Sequence, residues 1–201
     1  MKDTLRKMKR VLRRLDYVDE RGVVQLKGRV ACEVNTADEL LVTELIFAGA
    51  FNELDEAQVA SLLSCAVFGE RGGADDGMED AELPPRLAAP VRALREAARR
   101  IGQVSSESLI EIDVEEYVKS FRVDMMPVVD AWAAGKKFKD VMLLTKLFEG
   151  SVIRVIRRLE ELLRQLAEAA RSVGEEALEA KFKGASGKMR RDIVFAASLY
   201  V

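Results

Sequence analysis

Four polar side chains at helical spacing form the pattern in this sequence most suited to holding a ligand. They are Arg154, Arg158, Glu161 and Gln165. At about 100° per residue they would line up as one stripe along a helix, beside its apolar face. From that position long polar side chains can reach into a groove or channel next to the helix. The alternative is a solvated helix face with ion pairs, such as Arg157 with Glu161, and spacing alone favours this alternative.

The residue types in this sequence give little support for a catalytic site. The sequence has no histidine, which removes the usual serine and cysteine nucleophile systems and the usual zinc ligands. A carboxylate pair stays possible among the 34 acidic residues, but nothing singles one out. Residues 184–188 are similar to a phosphate-binding loop, yet two residues separate the glycines where that motif has four, and Met189 replaces its Ser or Thr. We therefore predict no catalytic residue and no metal site.

The composition is that of a globular, helix-rich chain. Of its 201 residues, 49% are hydrophobic and 33% charged, with a net charge of −2, which suits one or two domains with a sizeable core. No apolar run approaches the roughly 18 residues of a membrane span, and no apolar segment follows the basic N-terminus as in a secretory signal. Cys32 and Cys65 lack the spacing of a metal site, which indicates reduced, buried thiols.

The polar stripe belongs to the longest predicted helix, residues 151–173. Nine apolar residues recur there at the helical period. Ser151 is the predicted N-cap, and Gly174 stands where a left-handed residue commonly ends a helix. A short helix predicted at residues 138–144 precedes it, an order that resembles a helix-turn-helix. Helical bundles that bind nothing contain the same hairpin.

The N-terminal part combines a basic helix with β character. Residues 2–15 are predicted as a helix with an apolar side of Leu5, Met8, Leu12 and Leu15. Elsewhere the helix carries seven basic residues against one acid. This helix suits either a phosphate contact or the exposed end of a helical hairpin. Residues 23–27 and 29–34, rich in valine, are predicted as two short strands, which suggests the end of a winged-helix-like module.

The remaining sequence predicts mostly helices. Thr36 and Glu39 are predicted to form the capping box of one helix, and Asp55 to cap the next. Residues 69–82 are glycine-rich and acidic without a hydrophobic pattern, so we predict a mobile loop there. Trp132, within an apolar pattern, is predicted in the core. Further helices are predicted at residues 57–68, 87–104, 114–121, 125–134 and 175–182. The fold class is therefore mainly α, a multi-helix bundle with a long central helix and a small β segment near the N-terminus.

Seven strings spread over nearly the whole chain carry a resemblance to a known family. They are KRVLRRL (9–15), LKGRVACE (26–33), DELL (38–41), LLSC (62–65), FEGS (148–151), RRLEE (157–161) and RDIVFAASLY (191–200). Together they resemble the C-terminal segment of Ski2-like exosome-associated RNA helicases, called the DSHCT domain. The FEGS string and the ADEL string at 37–40 are more similar to the nuclear branch, the helicase of TRAMP-type complexes, than to the cytoplasmic Ski branch.

The resemblance implies a longer parent protein. Such helicases carry two RecA-like ATPase modules, a winged helix interrupted by an arch, and then this bundle. Residues 1–34 would end the stalk helix of the arch and complete the winged helix, and residues 35–201 would form the DSHCT helical bundle. The parent would be an ATP-dependent 3′-to-5′ RNA helicase, a hydrolase acting on ATP. ATP and Mg²⁺ would bind in its RecA modules, so no cofactor is expected in these residues, which would be non-catalytic by themselves.

The resemblance also implies a role for the polar stripe. The helix at 151–173 matches the family's ratchet helix, which lines the RNA channel. Arg158 falls where the family places a base-contacting arginine, and Glu70 where it places a base-contacting glutamate. Arg154 lies one turn before Arg158 on the same stripe and is the third expected RNA contact. The implied function is to grip single-stranded RNA during processing and decay.

The expected partners follow from the same resemblance. They are single-stranded RNA, the RecA-like modules and winged helix of the same chain, the nuclear exosome and polyadenylation-complex adaptor proteins, with no membrane. The expected location is the nucleus, in nucleolus and nucleoplasm, with the cytoplasm as the alternative. Two other functions remain open, a protein-interaction scaffold that docks through the basic helix or an exposed bundle face, and a free-standing helix-turn-helix nucleic-acid binder at residues 138–160. The near-neutral charge argues against the second.

Overall fold

Helix follows helix through the computed structural model, which describes residues 2–69 and 78–195, the side chains of residues 192 and 193 excepted. The α-helices of these residues are α1 Lys2–Arg14, α2 Leu26–Cys32, α3 Glu39–Phe47, α4 Glu56–Val67, α5 Pro85–Glu107, α6 Val114–Lys119, α7 Met126–Ala133, α8 Phe138–Val141, α9 Glu149–Ser172 and α10 Glu176–Met189. Short 3₁₀ turns lie at Asp80–Glu82, Met142–Leu144 and Asp192–Phe195. The mainly α fold class is thereby confirmed. No helix in these ranges is long and apolar enough to cross a membrane.

The long central helix is confirmed as α9, which packs against α10, α4 and α2. Its apolar stripe is buried against these helices, as its 3.6-residue period predicts. Gly174, at φ +79°, ends the helix as predicted, because glycine adopts this left-handed conformation without steric cost. The predicted N-cap is wrong. The helix starts two residues before Ser151, whose N–H bonds to the Phe148 carbonyl oxygen at 2.9 Å.

Trp132 anchors the other side of the core, as predicted. It is fully buried on α7, which packs against α4 and α10. Its indole N–H donates to the Met189 carbonyl oxygen at 3.1 Å. The Arg191 guanidinium lies 4.0 Å from the centre of the ring, within cation–π range. The residues after α10 are thus held against α7 before the chain crosses to α9.

The predicted β segment near the N-terminus is wrong. Residues 26–32 form α2, and strand-like pairing in the described residues amounts to one isolated antiparallel bridge between Val18 and Val24. The adjacent residues Val30 and Ala31 are both buried, whereas neighbours in a half-buried strand point to opposite faces. A helix instead buries both on one side, against α3 and α9. Tertiary packing here overrides the β propensity of valine.

Of the caps predicted for α3 and α4, the one on α4 is confirmed and the one on α3 is wrong. Asp55 caps α4 in a full capping box with Gln58, as expected for the aspartate. Thr36 does not cap α3. The cap is Asp38, whose carboxylate accepts from the Leu41 N–H at 2.9 Å. Thr36 is left available for a contact with α9 that the site below depends on.

Four further predictions concern the helix at 175–182, the two cysteines, the apolar side of α1 and the loop at 69–82. The helix predicted at 175–182 is longer, because α10 runs through both of its late glycines to Met189. Cys65 is buried as predicted, and burial raises the pKa of its thiol to about 12, but Cys32 is exposed. On the predicted apolar side of α1, Leu5 and Met8 are 55% and 51% exposed, because the helix is covered only from Val11 onward. Leu12 packs against the core and Leu15 is buried, as predicted. Of the predicted loop 69–82, residues 70–77 lie outside the described part of the chain.

Candidate nucleic-acid interface

The polar stripe of α9 lies beside the connection between α2 and α3. Arg154 and Arg158 are exposed, while Glu161 and Gln165 are half-buried. Two of the four, Arg158 and Gln165, form hydrogen bonds with residues 35–36 of that connection. The stripe is therefore the edge of a contact between α9 and an N-terminal segment, and its first two residues, Arg154 and Arg158, are exposed.

Arg158 uses part of its hydrogen-bonding capacity inside the protein. Its Nη2 donates to the Thr36 carbonyl oxygen at 3.1 Å. A guanidinium has five N–H donors and a flat face, so one such bond orients the group and leaves donors and face for a ligand. Arg154 is exposed one turn earlier, about 6 Å along the helix axis. The two arginines predicted as RNA contacts thus share one exposed side of α9.

Glu161 is paired on its own helix. Its carboxylate meets Arg164 at 3.2 Å and accepts from the Gln165 amide at 3.3 Å. The ion pair predicted between Arg157 and Glu161 is not formed in the described residues. Arg157 is directed instead toward the segment after α10, where its Nε donates to the Val194 carbonyl oxygen at 2.6 Å.

A cleft of about 270 Å³ between α2, α9 and α10 adjoins the last two residues of the stripe, Glu161 and Gln165. Its charged lining carries Glu33, Glu161 and Glu168 against Arg164 and Lys183. Three acids beside two bases give no net attraction for a phosphate, whereas such mixed donors and acceptors suit the neutral edge of a base. The charges that line this cleft therefore do not favour a phosphate group there.

The other predicted RNA contact, Glu70, lies outside the described residues. Two positions earlier in the chain, Phe68 is buried, and the Arg122 guanidinium lies 5.6 Å from the centre of its ring. Whether Glu70 faces the same channel as Arg158 stays a prediction, as do all three RNA contacts.

The contact of Gln165 with the α2–α3 connection could not be predicted from the sequence. Gln165 was recognised by its spacing, but its partners Asn35 and Thr36 lie about 130 positions away, and Thr36 looked like a helix cap. No signal in a single sequence links residues so far apart, because side-chain pairing across a fold depends on the packing of the helices between them.

The sequence of this chain is similar to those of known proteins over nearly its whole length. The DSHCT (NUC185) domain matches residues 21–196. The chain is 49% identical over 199 residues to human "Exosome RNA helicase MTR4", and 50% identical over 201 residues to "DExH-box ATP-dependent RNA helicase DExH9" of Arabidopsis thaliana. It is 44% identical over 190 residues to human "Superkiller complex protein 2". These alignments cover 99%, 100% and 94% of this chain but 19%, 20% and 15% of the relatives. The chain thus spans a fifth or less of the length of these relatives.

Proposed function

The chain belongs to the DSHCT family, whose domain matches most of its length, and from this membership we propose that it forms the C-terminal helical bundle of an exosome-cofactor RNA helicase. The parent protein would unwind RNA in the 3′-to-5′ direction with energy from ATP, in RNA processing and decay. ATP and Mg²⁺ would bind in RecA-like modules of the parent, so the bundle would contribute no catalytic group of its own. Residues 1–34 would belong to the arch stalk and winged helix, and residues 35–201 to the bundle.

The bundle would grip single-stranded RNA along α9. The observation that supports this role is the placement of Arg158, exposed on the outer side of α9 yet oriented by the Thr36 carbonyl oxygen at 3.1 Å. Arginine can stack on a base and donate to its edge at the same time. Arg154 would make a second contact one turn away, and Glu70 would accept from an exocyclic amine. Stacking on a base depends little on its identity, as a processive helicase requires.

Nuclear partners fit this proposal better than cytoplasmic ones. The FEGS (148–151) and ADEL (37–40) strings resemble the nuclear branch of Ski2-like helicases more than the cytoplasmic Ski branch. We therefore propose a nuclear location, with exosome and polyadenylation-complex adaptor proteins as partners. The cytoplasm remains the alternative location.

A contact with the remaining modules of the same chain has its own supporting observation. Phe148, the N-cap residue of α9, is 86% exposed, and Leu143, in the 3₁₀ turn that precedes it in the chain, is 84% exposed. The proposal is that these two side chains are covered by another module of the parent protein, since exposed apolar patches are typical of interaction surfaces. Replacing Phe148, the N-cap residue of α9, with Ala adds no capping side chain, so it should lower the thermal midpoint of the complete helicase and leave that of the 201-residue chain unchanged. Equal effects in both proteins would argue against this contact.

The test of RNA gripping is Arg158→Ala in the complete helicase. Base stacking is worth about 1–3 kcal/mol per base, so we expect affinity for single-stranded RNA to fall about fivefold to 150-fold. Unwinding of a duplex with a 3′ tail should slow while the thermal midpoint stays unchanged. Arg171→Ala is the matched control, since Arg171 is exposed on the same helix away from the stripe.

The same variant separates the competing functions. Unchanged RNA affinity and unwinding kinetics in Arg158→Ala would remove the RNA contact from this residue. If the Phe148→Ala variant also lost a protein partner while RNA binding stayed intact, the bundle would be a protein-interaction scaffold.

A further inference from the structure

Two side chains of α9 converge on one residue of the α2–α3 connection. Arg158 donates to the Thr36 carbonyl oxygen at 3.1 Å, and Gln165 bonds to the Thr36 N–H and hydroxyl. The two side chains are seven positions apart, about 10 Å along the helix. Thr36 is thus the point at which the predicted RNA-contacting arginine and a neighbouring amide are linked.

Gln165 holds this connection with both ends of its amide group. Its Oε1 accepts from the backbone N–H groups of Asn35 and Thr36 at 3.0 and 3.3 Å. Its Nε2 donates to the Asn35 Oδ1 and the Thr36 Oγ1, both at 2.7 Å. The donors and acceptors match only one orientation of the amide, so the contact specifies the positions of both residues.

The connection is anchored on its other side as well. Asp38 caps α3, and its second carboxylate oxygen accepts from the Tyr117 hydroxyl at 2.8 Å. The Thr36 carbonyl therefore lies between two anchored parts of the chain. The N–H group of Thr36 on one side is held by Gln165, and Asp38 on the other side is held by Tyr117. A carbonyl held in this way can orient a guanidinium, whereas one in a loose connection would move with it.

We propose that Gln165 is a positioning residue for Arg158, which it orients toward a base of single-stranded RNA by fixing the Thr36 carbonyl. The inference rests on the proposed RNA contact of Arg158. Gln165 itself does not touch RNA in this arrangement, because its amide oxygen and nitrogen are both used within the protein. An arginine side chain loses considerable rotamer freedom on binding, and a preset orientation removes part of that cost.

The experiment measures RNA affinity of the complete helicase by fluorescence anisotropy with a single-stranded oligonucleotide. Gln165→Met keeps the length of the side chain and removes its hydrogen bonds. Losing one ordered side chain costs roughly two- to tenfold in affinity, so we expect a loss in this range. Gln103→Ala, at an exposed position of α5, is the control and should bind RNA like the unmodified protein.

A double variant distinguishes positioning from a general structural effect. If Gln165 acts through Arg158, adding Gln165→Met to Arg158→Ala should weaken RNA binding no further than Arg158→Ala alone. Multiplying losses in the double variant would overturn the inference, as would unchanged affinity in Gln165→Met. If Arg158→Ala itself left affinity unchanged, the proposed RNA contact would fail first and the positioning role with it.

A milder variant keeps the test usable if Gln165→Met lowers the thermal midpoint. Thr36→Val removes only the hydroxyl that accepts from Gln165 Nε2 and preserves the shape of the side chain. We expect the same non-additivity with Arg158→Ala, at a smaller loss of affinity. Full additivity would contradict the role of Thr36 as the link.

Discussion

Arg95→Ala should destabilise the bundle more than the loss of an exposed charged side chain would, because Arg95 joins three elements. Its guanidinium binds the Asp80 carboxylate through two hydrogen bonds, at 2.9 and 2.7 Å. Its Nη1 also donates to the carbonyl oxygens of Val118 and Phe121, each at 2.7 Å. These bonds connect α5 to the 3₁₀ turn at Asp80–Glu82 and to the end of α6.

The expected magnitude follows from the exposure of each partner. The Asp80 side chain is 44% exposed, so its ion pair should contribute only about 0.5–1 kcal/mol. The two carbonyl groups belong to buried residues, Val118 and Phe121, and losing a charged donor to each costs about 1–1.5 kcal/mol. The sum is about 3 kcal/mol, which corresponds to a fall of roughly 6–12 °C in the thermal midpoint of a chain of this size.

Urea unfolding of the 201-residue chain, followed by circular dichroism, would measure this loss. Asp80→Asn is the matched control, because it removes the charge of the pair and leaves the two carbonyl bonds of Arg95, so about 0.5–1 kcal/mol should be lost. If Arg95→Ala cost no more than Asp80→Asn, the carbonyl bonds would contribute nothing and the reasoning would be refuted.

The same pair predicts a pH dependence. Hydrogen bonds from Arg95 hold the pKa of the Asp80 carboxyl below its usual value. A carboxyl with a lowered pKa in the folded state stabilises the fold above its unfolded pKa, near 4, and this contribution is lost as pH falls through the folded value. Unmodified protein should therefore lose more stability than Asp80→Asn on acidification below pH 4. Parallel pH profiles would contradict the pairing.

Three other predictions test the packing. Gly28→Ala should cost about 1–3 kcal/mol in urea unfolding, because a Cβ there would lie 2.6 Å from the Tyr17 carbonyl oxygen; a stabilised variant would contradict α2. Iodoacetamide at neutral pH should alkylate exposed Cys32 in the folded protein and Cys65, whose thiol pKa is raised to about 12, only after denaturation, as mass spectrometry would show. Trp132→Ala should cost about 4 kcal/mol by the same unfolding assay, and a loss below 1 kcal/mol would remove Trp132 from the core.

Long helices could be predicted from sequence because their determinants are local. The hydrogen bonds of α9 join residues four apart, its apolar period selects the buried face, and Gly174 supplies a left-handed end through its own conformational freedom. Short elements could not be predicted in this way. A helix of seven residues such as α2 has little stability alone, so its packing on α3 and α9 decided between helix and strand.

The candidate site divides along the same line. The sequence by itself determined the angular position of Arg154, Arg158 and Gln165 on one side of α9, since helical geometry converts spacing into direction. Only the tertiary structure decided that Thr36 receives both Arg158 and Gln165. The physical reason is that a hydrogen bond between distant residues forms only after helix packing has brought them together, and no local preference of either residue encodes that approach.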